Sequence, residues 1–217
     1  MSEHSITVNS GSSVRLKTAG KYCDRDIIVT ATGSGGGARI SYCEFTGDQI
    51  IDTGIVCNQD TRIRIVYTRE SSSAMYLYGV VNTGNTASVT AYLSSGGAWR
   101  FGNRSQSKNI PINTELVHTA IVDKSGITNA DGTTAYSTVS DFETIGSLVV
   151  GTCRAASGNI QSAQYVGKIY LMEMWQGDEL VRKLVPAALP DGSAAFFDEV
   201  SQEYFHSITD YPLIGGT

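Results

Sequence analysis

The chain reads as all-β, two antiparallel sheets stacked as a sandwich, and three observations lead there. From Ile40 onward, short apolar-alternating runs recur about every ten residues, and no stretch of helical length repeats its apolar positions at 3.6-residue spacing. Glycine is abundant, at 23 residues, Ser and Thr are plentiful, and only 17% of residues are charged, the composition of many short strands and turns. The stretch 165–207 reads as two long strands joined by a tight turn, followed by a closing strand.

Taken in order, residues 5–32 contain three alternating pieces, Ile6/Val8, Val14/Leu16 and Ile27/Val29, separated by Asn9-Ser10-Gly11 and Ala19-Gly20-Lys21. About thirty residues bury too little surface to be stable alone. Residues 1–32 are therefore expected to form a small β attachment module that packs on other copies, as a homotrimer, on other proteins, or on the main domain. Gly33-Ser34-Gly35-Gly36-Gly37 reads as a flexible linker, placed at 33–38, and the main domain is expected at 39–217.

In that domain the alternation predicts strands at 40–45, 49–52, 61–68, 74–81, 88–93, 99–103, 115–123, 127–129, 133–138, 147–153, 166–175, 179–186, 194–198 and 203–206, with minimal helix. Ile169, Leu171 and Trp175 alternate with Tyr170, Met172 and Met174, as in a strand covered on both faces. Gln176-Gly177-Asp178 supplies the turn, and Leu180, Val181, Leu184 and Val185 form the return strand. Pro186, which has no N–H to give a ladder, is expected to end it. Ile169, Leu171, Leu180 and Leu184 are the residues expected in the core.

The net charge of −5 provides no basic face for a phosphate backbone, so nucleic acid is not expected as a partner. No basic-then-apolar signal pattern and no apolar run of membrane-spanning length is visible, so the expectation is a soluble chain made in the cytoplasm, without membrane insertion. Cys23, Cys43, Cys57 and Cys153 lack CxxC spacing and are expected to be free buried thiols.

Glu44-Phe45-Thr46-Gly47-Asp48-Gln49-Ile50-Ile51-Asp52-Thr53-Gly54-Ile55 resembles the opening phrase of bacterial and phage laminin-G-like domains, the concanavalin A-like lectin/glucanase sandwich. Val117-His118-Thr119-Ala120 with Ala130-Asp131-Gly132, Gly146 to Gly151, Gly167 to Trp175, Leu180 to Pro186, Phe196 to Val200 and Tyr204-Phe205 resemble later phrases of that family in the same order. Ile50 stands where an aromatic is usual and Lys183 where Asp is common. The stretch AGKYCDRDIIVTA resembles short modules of phage virion proteins. The resemblance implies a jelly-roll sandwich carried by a virion structural protein, in a tail fibre or head fibre, bound through residues 1–32 to other virion proteins and adhering to host-surface or mucosal glycans. The alternatives are a decoration or fibre subunit that makes only protein contacts and, third, a glycan hydrolase.

A hydrolase on this fold needs two carboxylates aimed into one cleft. No E-x-D-x-x-E occurs; Glu173, Asp178, Glu179, Glu199 and Glu203 fall at or beside turns, and Asp141 with Glu143 lacks a third partner. His4, His118 and His206 are dispersed, without triad order or H-x-x-x-H spacing. No acidic cluster is dense enough for calcium, so no catalytic residue, metal or cofactor is expected. Sugar binding needs an aromatic platform beside hydrogen-bonding groups. Tyr92, Trp99 and Arg100, with Asn103 and Arg104 in the following loop, are the candidates, although strand alternation also offers Trp99 a place in the core.

Overall fold

The computed structural model describes residues 13–16, 27–30, 39–94, 97–106, 113–130, 132–162 and 164–217. The chain divides into two compact units, Met1–Ala38 and Arg39–Thr217. In the first, β1 (Ser13–Leu16) pairs antiparallel with β2 (Ile27–Thr30), Ser13 opposite Thr30 and Leu16 opposite Ile27. The expected piece at Ile6/Val8, the linker at 33–38 and Cys23 lie outside the described residues.

The second unit is all-β. Its strands among the described residues are β3 (Tyr42–Thr46), β4 (Ile51–Asn58), β5 (Thr61–Arg69), β6 (Met75–Val81), β7 (Ser88–Leu93), β8 (Ala98–Gly102), β9 (Arg104–Gln106), β10 (Asn113–Asp123) and β11 (Gly126–Asn129). They continue as β12 (Gly132–Ala135), β13 (Glu143–Val150), β14 (Val166–Gln176), β15 (Glu179–Ala188), β16 (Ala194–Asp198), β17 (Tyr204–Phe205) and β18 (Ile214–Gly216). A single 3₁₀ turn, Thr83–Asn85, is the helical content among the described residues.

These strands form two antiparallel sheets, an arrangement consistent with a β-sandwich. One runs β4-β13-β6-β7-β8-β9; the other runs β12-β11-β10-β5-β14-β15-β16-β17, with β3 and β18 attached beside β14. β14 organises the larger sheet: β5 pairs along one edge, while β3 takes Val166–Ile169 and β15 takes Met172–Gln176 on the other. The two inner faces supply one core, with Ile63, Ile65 and Tyr67 of β5 in the same buried cluster as Val89, Ala91 and Leu93 of β7 and Trp99 and Phe101 of β8. Two polar groups inside are tied by hydrogen bonds: the Tyr165 hydroxyl donates to the Thr68 carbonyl, and the fully buried Asp198 carboxylate accepts from Arg182 at 2.8 Å and the Lys183 N–H at 2.7 Å.

Cys43, Cys57 and Cys153 are buried free thiols. Desolvation raises each to about 12, so they remain protonated at neutral pH.

The central hairpin corrects the expected core. Ile169 and Leu184 are buried, at 0% and 1% exposure, but Leu171 and Leu180 are only half-buried. The cause is a bulge. Ile169 pairs with Tyr67 and Leu171 with Val66, so one extra residue, Tyr170, shifts the side-chain alternation as β14 passes from β3 to β15. Beyond it Met172 and Met174 point inward, and Trp175 turns outward beneath the Arg62 guanidinium, 5.0 Å from its ring centroid. The turn at Gly177 has φ +60°, which a Cβ would disfavour.

Pro186 does not end β15, which continues to Ala188 opposite β16. The β14 ladder stops at Leu184, and among the described residues the backbone pairing beyond it on that edge is the isolated Arg39–Ala187 bridge, so a missing N–H costs little. β9 and β18 were not signalled by alternation, being only three residues each.

Candidate functional site

The outer face of the smaller sheet carries the site. Along β7, Val89, Ala91 and Leu93 enter the core, so Thr90 and Tyr92 face the other way; along β8, Trp99 and Phe101 enter it, leaving Ala98 and Arg100 outside. In β6 a register shift between Tyr76 and Tyr78 sends Tyr78 inward and leaves Tyr76 outside, opposite Tyr92. Their ring centroids stand 4.7 Å apart at 48°, a tilted aromatic pair.

Residues 151–162 with 164 and 165 form the wall beside this pair. It lies along β6 through Gly151 N–H to Leu77 O at 2.8 Å, Arg154 N–H to Gly79 O at 3.1 Å and Val81 N–H to Arg154 O at 2.9 Å. The Thr152 hydroxyl and the Cys153 carbonyl hold the Gln161 backbone, at 2.8 and 2.9 Å. Gly79 permits this close approach, because a Cβ there would lie 2.7 Å from Cys153 Sγ. Arg154 anchors the wall by donating to Asp52 at 2.6 Å and to the Ser147 hydroxyl at 2.9 Å. Burial opposes the Asp52 charge, but the Ser147 hydroxyl, the Gly54 N–H and Arg154 together lower its pKa below the usual carboxylate value.

Strands and wall enclose an open recess of about 540 Å³ that Tyr76, Thr90, Tyr92, Arg100, Cys153 and Gln161 line, together with Val81 and Ala98. Its size lies within the usual range of small-ligand sites. Burial raises the Tyr76 pKa, so its hydroxyl stays neutral and able to donate. The protonated Cys153 thiol is a packing group and not a nucleophile.

Of the five residues singled out in the sequence, the structure brings Tyr92 and Arg100 together in the recess. Trp99 is a correction: it is fully buried, 6.2 Å from Tyr78 ring to ring, and cannot be a platform. Asn103 is exposed at the turn after β8, and Arg104 donates through Nε to the Thr138 carbonyl at 2.8 Å; neither lines the recess. Tyr76, Thr90 and Gln161 were missed. Thr90 could have been found as the residue two before Tyr92 on one strand face, but the partnership of Tyr76 depends on the β6 bulge.

The carboxylates flagged in the sequence are placed mainly against cations or at turns. Glu173 pairs with Arg64 at 2.8 Å, Glu199 with Arg39 at 2.7 Å and Lys183 at 2.9 Å, and Asp178 occupies the β14–β15 turn. His118 lies in β10 opposite Tyr67, with ring centroids 5.6 Å apart. No known protein family matches the sequence, and a search of curated proteins returns no match.

Proposed function

We propose that the second unit is a carbohydrate-binding module of the jelly-roll, concanavalin A-like kind, and that it binds glycan in the recess between Tyr92, Arg100 and the wall that carries Cys153 and Gln161. One observation carries this reading: a half-exposed tyrosine pair adjoins several polar side chains that make no hydrogen bond among the described residues, namely those of Thr90, Arg100 and Gln161. Tyrosine rings cover the apolar face of a sugar, and unengaged hydroxyl, amide and guanidinium groups meet its hydroxyls.

The ordered resemblance of residues 39–217 to laminin-G-like phrases supports the same reading, and that of residues 1–32 to virion modules supports attachment to a phage particle, with adhesion to host-surface or mucosal glycans. A shallow site binds weakly, and a trimer assembled through residues 1–32 would recover affinity by multivalency.

A glycan array probed with the full chain and with Tyr92→Ala tests the reading. Signals on a defined set of glycans that Tyr92→Ala abolishes, with its melting temperature nearly unchanged, are expected. An array that stays blank at high protein concentration overturns it in favour of a subunit making only protein contacts, and release of reducing ends from a bound polysaccharide overturns a binding-only role.

A further inference from the structure

Resting on the glycan reading above, we infer that the recess selects an anionic sugar, a carboxylated residue of the sialic acid or uronate class, and that Arg100 receives its carboxylate. The observation is the isolation of this cation. Seven of the described lysines and arginines have a carboxylate within 4.0 Å. Arg62 covers the Trp175 ring, while Arg69 and Arg104 donate to the carbonyls of Ser94 and Thr138. Among the described lysine and arginine side chains, Arg100 alone has no hydrogen bond, ion pair or ring contact to a described residue. It is also half-buried, and none of the residues lining the recess is acidic.

A guanidinium held at the edge of a recess without an anion is a receptor for one. Its planar fork fits a carboxylate with two parallel hydrogen bonds, a geometry that a hydroxyl cannot reproduce. Tyr92 and Thr90 stand on the neighbouring strand, Thr90 directly opposite Arg100 at 2% exposure, and the Tyr92 ring would place the sugar beside that fork. The net charge of −5 gives an anion no long-range attraction, so selection must come from this local contact.

The experiment uses the full chain and four probes: lactose, sialyllactose, a glucuronate-terminated disaccharide and sulfated lactose. The two carboxylated probes should bind about ten- to a hundredfold more tightly than lactose, the range expected for hydrogen bonds to a charged group. Arg100→Gln should remove that preference without changing the melting temperature, and Arg100→Lys should restore part of it. Added salt should weaken the carboxylated probes more than lactose. Equal binding of lactose and sialyllactose overturns the anion assignment and leaves the glycan reading standing. Binding of sulfated lactose alone overturns the carboxylate assignment. Failure of every probe, together with a blank glycan array, overturns the glycan reading itself.

Discussion

The two faces of the smaller sheet are built from alternate residues of the same strands, yet they follow opposite rules. On the inner face Trp99, Phe101 and Tyr78 are fully buried, and their aromatic character serves packing. On the outer face Tyr76 and Tyr92 keep part of their rings exposed, and the Arg100 side chain has no hydrogen-bond or ion-pair partner among the described residues. Trp99 and Arg100 are neighbours in sequence, and one peptide bond separates a core residue from one that lines the outer recess. An aromatic side chain in a strand is therefore uninformative until its parity relative to the core is known.

The sharpest test of this contrast is the neighbouring pair. Trp99→Ala should cost about 3–5 kcal/mol in denaturant unfolding, as removal of a large core aromatic does, whereas Arg100→Ala should stay within about 0.5 kcal/mol. Similar losses would mean that the two faces are not distinct.

The larger sheet offers the same comparison across its bulge. Met172→Ala is expected to cost about 2–5 kcal/mol and Leu171→Ala about 1 kcal/mol, the reverse of what unbroken alternation predicts. If Leu171 proves the costlier, the bulge is misplaced.

Gly79→Ala probes the join between strand and wall. The added methyl meets Cys153 Sγ and should cost about 1–3 kcal/mol by overpacking, while displacing the wall and, on the proposed glycan reading, weakening binding in the recess. Combining it with Cys153→Gly should return part of that loss, giving a non-additive double mutant; strict additivity would separate Gly79 from the wall.

The smallest effect is on pH. Because the Asp52 carboxyl is held below its ordinary value, its stabilising contribution is complete above about pH 4 and disappears as the pH falls through that lowered value. The stability difference between the native chain and Asp52→Asn should therefore be largest near neutrality and close in acid. A constant difference down to pH 2 would show that the Asp52 charge contributes nothing to the wall anchor.

Much of the strand layout was legible because alternation survives tertiary packing: β7 and β16 occupy the predicted residues, and the Gly177 turn falls where it was expected. What alternation cannot show is a change of parity. The bulges at Leu77 and Tyr170 each insert one residue, and each reverses which neighbours are buried. Tyr76 was hidden by the first and Leu171 misassigned by the second. Gln161 was hidden for another reason: it belongs to a connecting segment whose position is set by hydrogen bonds to Cys153 and Thr152, and no periodicity records those. Arg100 was legible as a candidate, but its isolation appears only when the partners of the other cations are known.

The pairing of β18 with β3 brings the first and last strands of the second unit side by side, with Ser41 N–H donating to Gly216 O at 2.7 Å. The two ends of that unit lie side by side. Such a unit is portable: it can be spliced into an exposed loop of a host scaffold, or closed head to tail by a short linker and reopened at the Gly177 turn, with every ladder pair kept. Residues 39–217 could then be moved between carriers as a cassette, with the face that bears Tyr92 and Arg100 travelling intact.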